Sequence, residues 1–310
     1  MIKLFTHTDL DGIGCAILSK LAFGTDVDIE YCNYDDINLK VEKYFNNGSE
    51  YECHITDISI SEELANKIDK SNKNYLVLDH HPTALYLNDY NWCTVIVENE
   101  YTHIKTSGTE LYYHWLADKG FIDRNDTLDR FVELVRNYDT WRWTTLGEDG
   151  IICKQINDLL YLYGRDKFIN WCIYEINDET FPKLYEFDKI VLEIEQNNID
   201  NYIKKKNEQM TIVSLCDKNC GIVFAEKYFS ELGNKLCQMH PEIDFVAMID
   251  MSGTVSYRTI KDDIDVGKDI AKLFGGGGHP KSAGSRFDEN VRLKVIEEIF
   301  NLKDENKWKR

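Results

Sequence analysis

Asp79-His80-His81 sets one carboxylate beside two imidazoles at the end of the apolar run 75–78. Two earlier stretches end in the same way. Residues 2–6 lead into His7-Thr8-Asp9-Leu10-Asp11-Gly12, and residues 51–56 lead into Asp57. A further acid, Asp139, closes Asn137-Tyr138-Asp139. Carboxylates shared between two divalent ions ~3.5–4 Å apart, with imidazoles completing the shells, are what a two-metal phosphoester hydrolase needs to activate water and clamp phosphate oxygens. Mixed oxygen and imidazole ligation suits Mn²⁺ best, with Mg²⁺, Co²⁺ or Zn²⁺ as substitutes. Singly, each residue has a structural reading, since an Asp at a strand end often caps the next helix. Their recurrence at successive strand ends favours the metal site.

A second constellation lies far downstream, where Gly275-Gly276-Gly277-Gly278-His279-Pro280-Lys281 follows the candidate strand that ends at Arg258. Four glycines cannot sit inside a helix or strand without cost, so the run predicts a tight turn or a close backbone approach to a ligand. Gly276, Gly277, Gly278, His279, Lys281 and Arg258 are therefore candidate contacts for phosphate or a nucleotide. Tyr138, Trp141 and Trp143 flank Asp139 and could stack a base, although aromatics at a helix end more often belong to the core. His54, His103, His114 and His240 carry no functional signal, and His54 reads as a strand-core residue.

The elements that must carry these groups alternate. Strands over 2–6, 27–31, 51–56, 75–78 and 93–97 take turns with helices over 12–23, 37–45 and 61–70, followed by helical signals over 107–119, 127–138 and 151–176. The predicted fold is α/β: an N-terminal, mostly parallel sheet with helices on both faces. Ligands of such sheets lie outside the carboxyl ends of the strands. Phe181-Pro182 stops the helical signal, and 183–210 reads as one long linker helix with Leu184, Phe187, Ile190, Val191 and Ile194 packing on a neighbour. Short strands over 211–215, 221–225, 245–250 and 254–258, with helices over 228–239 and 266–274, predict a smaller C-terminal α/β domain with a mixed sheet. The expected domains are 1–182, the linker 183–210, and 211–310.

At 310 residues the chain is long enough for two cores. A formal net charge of −18 argues against gripping long duplex nucleic acid, which requires Lys and Arg to neutralise phosphates. Nine scattered cysteines without an apolar leader predict reduced thiols and a cytoplasmic protein. No apolar run approaches the ~20 residues of a membrane span.

With these motifs assembled, the chain resembles the DHH phosphoesterase superfamily, whose signature is Asp79-His80-His81, with a C-terminal associated domain marked by a GGGH run at Gly276 to His279. The H-x-D-x-D-G spacing of motif one and Asn137-Tyr138-Asp139 look most like the B-type nanoRNases. The resemblance implies one metal held by His7, Asp9 and Asp57, and a second held by Asp11, Asp57, His80 and Asp139, with Asp57 bridging. It implies catalytic roles for Asp57, for Asp79 as the residue orienting a ligand histidine, and for His81 facing the substrate with Arg258 and His279.

The expected activity is trimming of short oligoribonucleotides to mononucleotides by two Mn²⁺ ions in an interdomain cleft that admits only short strands. Hydrolysis of a linear or cyclic dinucleotide, or dephosphorylation of a nucleoside bisphosphate, would use the same site, and pyrophosphate is a weaker fit. A catalytically silent binding module would lack ligands, and here none of the acids is missing. The expected partners are short single-stranded RNA or a small nucleotide, with no membrane and with a homodimer left open.

Overall fold

The structure is a computed structural model that describes residues 1–48, 51–71 and 73–302. These fall into two compact units, Met1–Leu192 and Glu193–Arg310.

In the first unit β1 (Ile2–Thr6), α1 (Leu10–Phe23), β2 (Val27–Tyr31), α2 (Ile37–Asn46), β3 (Glu52–Thr56), α3 (Glu62–Asp69), β4 (Tyr75–Asp79) and β5 (Cys93–Val95) build a parallel sheet of order β2-β1-β3-β4-β5. β1 is buried along its whole length because both faces of the sheet are covered, so its apolar residues run on without alternation. One face packs Phe5, Ile55 and Val77 against α2 and α3. The other packs Leu78 against α1 and against α4 (Gly108–Asp118), α5 (Asp126–Asp139), α6 (Glu148–Tyr163) and α7 (Arg165–Asn177). Each of Phe5, Ile55 and Val77 is fully buried and contributes roughly 1.5–3 kcal/mol by leaving water.

Sheet order locates the site. The chain leaves β1 for β2 on one side and then crosses to β3 on the other, so the order reverses between β1 and β3 and opens a crevice at their carboxyl ends. Thr6, Thr56 and Leu78 stand in register across β1, β3 and β4, which levels the three strand ends.

α8 (Glu186–Gln209) follows a cis Phe181-Pro182 bond, and the division between the units falls inside it. Leu184, Val191 and Leu192 pack in the first unit's core, and Ile199 and Ile203 in the second's. Phe187, Ile190 and Ile194, expected to pack as well, are exposed because they lie on the opposite stripe of the helix.

The second unit has β6 (Thr211–Leu215), β7 (Lys218–Phe224), α9 (Phe229–Met239), β8 (Phe245–Asp250), β9 (Thr254–Arg258), β10 (Gly277–His279), β11 (Ser282–Arg286) and α10 (Glu289–Phe300). Its sheet, β10-β11-β9-β8-β7-β6, is mixed, with only β7 and β8 parallel. The 266–274 segment is helical as expected but not α-helical, with a π-helix over Val266–Ile270 followed by a 3-10 helix over Ala271–Phe274. One expectation is corrected here. The glycine run enters a strand, β10, because β11 approaches too closely for side chains: a Cβ on Gly276 would lie 2.0 Å from the Gly284 carbonyl oxygen, and one on Gly278 2.6 Å from the Ala283 Cα. α10 had no counterpart in the sequence reading.

Candidate functional site

The carboxyl ends of β1, β3 and β4 and the last residue of α5 bring His7, Asp9, Asp11, Asp57, Asp79, His80, His81 and Asp139 together. Three sets of side chains each present ligand atoms within 4.8 Å of one another: His7, Asp9 and Asp57; Asp11, His80 and Asp139; and Asp57, Asp79, His80 and His81. The sequence reading assigned the first set to one metal and the second, with Asp57, to the other.

Local structure fixes each group. Asp9 caps α1, its carboxylate accepting from the Gly12 N–H at 3.1 Å, so the motif that begins the helix also aims an acid at the crevice. Gly12 is required because a Cβ there would sit 2.3 Å from the His7 carbonyl oxygen. Asp57 follows β3 with φ 58, a left-handed conformation that Asp tolerates better than most residues and that costs of order 1 kcal/mol. Gly108 lies against it, since a Cβ on Gly108 would come 2.5 Å from that of Asp57. Asp139 ends α5, where Thr140 returns its hydroxyl to the Arg136 carbonyl at 2.7 Å and Trp141 turns the chain in the left-handed region (φ 64).

Sequence reasoning missed two features. The Asp11 carboxylate accepts from the Gly108 and Thr109 N–H groups at 2.6 and 2.9 Å, so the N-terminus of α4 holds it as helix N-termini hold anions. Ser107 caps that helix ahead of Gly-Thr, the signal that could have pointed to it. Tyr34, on the turn after β2, donates to or accepts from His81 Nε2 at 3.1 Å. No motif marks Tyr34; the parallel pairing of β2 with β1 puts it there.

Asp79 is fully buried and binds Ser59 Oγ, the His80 N–H and, at 2.7 Å, His81 Nδ1. The expectation that it orients a ligand histidine is therefore modified: its side chain steadies the ring of His81 and touches His80 only through the backbone. His80 Nε2 instead points at the acids, 3.2 Å from Asp57 Oδ1 and 3.6 Å from both Asp11 Oδ2 and Asp139 Oδ2.

These groups fit a bound cation. Among the described residues no Lys or Arg forms an ion pair with Asp9, Asp11, Asp57 or Asp139. His7 Nδ1 and Asp57 Oδ2 are buried without hydrogen bonds. His7 Nδ1 approaches Asp9 Oδ2 to 2.9 Å. Desolvation and the charges of Asp11 and Asp9 push Asp57 well above the usual carboxylate range, and the same causes raise Asp139. Desolvation alone would raise Asp9 too, but His7 and the Gly12 N–H hold it at about 2. Burial lowers His80, whereas His81, opposed by burial, is raised by its bond to Asp79.

The remaining predicted residues lie in the second unit. Arg258 ends β9 with its stem against Gly233 and its guanidinium on the Tyr257 carbonyl and Ser230 Oγ, and burial lowers it to about 10. His279 is exposed at the end of β10. Lys281 is held by the Lys261 carbonyl and by Asp262 at 3.0 Å. Gly277 has nothing within 4 Å of a built Cβ. Tyr138 and Trp143 stack at 5.9 Å and pack on the core, leaving Trp141 the exposed member of that group. His54 is buried against the Tyr112 hydroxyl at 2.8 Å, as expected of a strand-core histidine.

A parallel sheet whose strand ends converge acids and imidazoles on a shared Asp is the site of a metal-dependent phosphoesterase. The chain is 37% identical over 97% of its length to the oligoribonuclease NrnB of Bacillus subtilis, covering 77% of that protein. It is 26% identical to a 3′,5′-cyclic-nucleotide phosphodiesterase of Helicobacter pylori, covering 96% of this chain and 97% of that one. The fold matches RecJ of Thermus thermophilus, solved with Mn²⁺, at a TM-score of 0.62 and 14% identity, over 98% of this chain and 52% of RecJ. No protein-family model matches the sequence. The chain belongs to the DHH phosphoesterases, in the family of the NrnB oligoribonuclease, and is a hydrolase of phosphate esters. Among the described residues no helix is long and apolar enough to cross a membrane.

Proposed function

We propose that the protein is a two-metal phosphodiesterase that hydrolyses short oligoribonucleotides to mononucleotides. The observation that carries the proposal is Asp57, shared between the set containing His7 and Asp9 and the set containing His80, with an orphaned buried oxygen. His7, Asp9 and Asp57 would hold one ion, and Asp11, Asp57, His80 and Asp139 the other, with Mn²⁺ favoured by the mixed donor set and Mg²⁺ or Co²⁺ as substitutes. When bound, the ions activate water and offset phosphate charge.

The chain's own groups do the positioning. The α4 N-terminus fixes Asp11, and Asp79 fixes the His81 ring, so neither side chain need reorganise during the reaction. His81 binds phosphate. In the second unit Arg258, whose guanidinium pairs with no carboxylate among the described residues, His279 and the open face at Gly277 recognise phosphate or the terminal nucleotide, with Gly276, Gly278 and Lys281 shaping that hairpin. The family relationship with NrnB at 37% identity supports short RNA as the substrate. The Helicobacter pylori relative keeps a dinucleotide or cyclic nucleotide as the second reading.

Product analysis with Mn²⁺ on labelled RNAs of two to ten residues, beside cyclic dinucleotides and a nucleoside bisphosphate, tests the proposal. Mononucleotides released fastest from the shortest RNAs are expected. Preference for a cyclic dinucleotide or for the bisphosphate would overturn the oligoribonuclease reading while keeping the metal site.

A further inference from the structure

Tyr34 is oriented the wrong way round for a surface tyrosine. Such residues ordinarily lay the ring on the protein and point the hydroxyl at water. Here the hydroxyl points inward, 3.1 Å from His81 Nε2, and the residue is 60% exposed. The ring meets His7 at 5.2 Å and His81 edge-on at 5.9 Å, so it stands over the mouth of the acid cluster.

Its position is built rather than accidental. The turn that carries it is closed by Asp36, whose carboxylate accepts the Asn33 N–H at 2.8 Å, and Asn33 contacts Thr8 of motif one at 3.2 Å. At the other end, His81 is clamped by the fully buried Asp79. The result is a chain from Asp79 through His81 to Tyr34 that spends a hydroxyl on holding an aromatic face in solvent beside the reaction centre. Trp141, the other exposed aromatic near Asp139, packs edge-on against Trp143 at 5.3 Å.

We propose that Tyr34 is the stacking platform for the nucleobase adjoining the phosphate that occupies the acid cluster. The inference rests on the phosphodiesterase reading for the identity of the ligand as a nucleotide. Stacking on a π-face accepts any base, so it explains recognition of a nucleotide without sequence preference. The ring confers the binding, and the hydroxyl serves to hold it in place.

Calorimetric titration of the Mn²⁺-loaded protein with AMP and with ribose 5-phosphate tests this without requiring turnover. Wild type is expected to bind AMP roughly tenfold or more tightly than ribose 5-phosphate, the advantage of one stacked base. Tyr34→Ala should abolish that advantage while leaving the ribose 5-phosphate affinity within about twofold, which also reports an intact fold. Tyr34→Phe, which keeps the ring, should retain most of it. An AMP advantage that survives in Tyr34→Ala, or that is absent in wild type, would overturn the proposal. Wild type that fails to cleave a diadenylate yet shows the advantage would instead remove the diesterase reading and leave the platform standing.

Discussion

The strand-end cluster of the first unit and the glycine hairpin of the second were both marked by sequence motifs, but they are built on opposite principles. In the cluster, four carboxylates crowd together without an Arg or Lys partner among the described residues, and buried atoms of His7 and Asp57 lack hydrogen bonds. In the hairpin, Gly276 and Gly278 are explained by β11 lying against them, and Lys281 is satisfied by Lys261 and Asp262. The first arrangement gathers uncompensated charge that could hold a cation, and in the second the close contacts are made by the chain's own neighbours.

That contrast can be broken most strongly at Asp57. Replacement by Asn should lower kcat by more than the ~10–100-fold typical of an outer partner of a metal, while the metal-free protein becomes more stable at pH 8 because a repelled charge is gone. Steady-state rates with Mn²⁺ and denaturant unfolding without it check the two halves; an active variant would mean that Asp57 bridges nothing.

Metal removal should expose the same stress as a pH dependence. Asp57 and Asp139 are raised above the ordinary 3.8 in the folded protein, so the folded state holds protons that the unfolded chain releases. Stability of the metal-free protein then falls as pH climbs from about 4 through the folded-state values. Mn²⁺ takes the place of those protons, and its stabilisation, about 2.7 kcal/mol at a hundredfold excess over Kd, should be largest at high pH. Thermal unfolding at pH 5 and pH 8, with and without Mn²⁺, measures it; an equal Mn²⁺ shift at both would argue against a strained cluster.

In the hairpin the effects are smaller and divide between neighbours. Gly276→Ala should cost ~1–3 kcal/mol because the Gly284 carbonyl cannot yield, whereas Gly277→Ala, with open space around it, should stay within about 0.5 kcal/mol. A rise in KM for Gly277→Ala at unchanged stability would show that a nucleotide lies against that face. Equal destabilisation by both would remove Gly277 from the binding surface.

The clustering of the eight acids and histidines was legible because buried parallel strands end abruptly, so a run of apolar residues followed by Asp or His reads as a strand delivering polar groups to a rim. Alternation of strands and helices likewise predicted the α/β sheet. The glycine run reported conformational freedom, and only the sheet decided that β11 is the close neighbour of Gly276 and Gly278. Tyr34 left no local trace, and the grip of Gly108 and Thr109 on Asp11 left only the helix start at Ser107, which does not say what that helix end holds.

The sequence by itself marked the acids and histidines that cluster at the strand ends and the alternation of strands and helices of the first unit, all properties of residue type and local spacing. The tertiary structure alone decided that the sheet order reverses between β1 and β3, which sets Asp57 beside His7 and Asp9, that Asp79 serves His81, and that Tyr34 stands over the cluster. Those are contacts between groups 25 or more residues apart, or rotamer choices made among neighbours, and they depend on packing that no local pattern encodes.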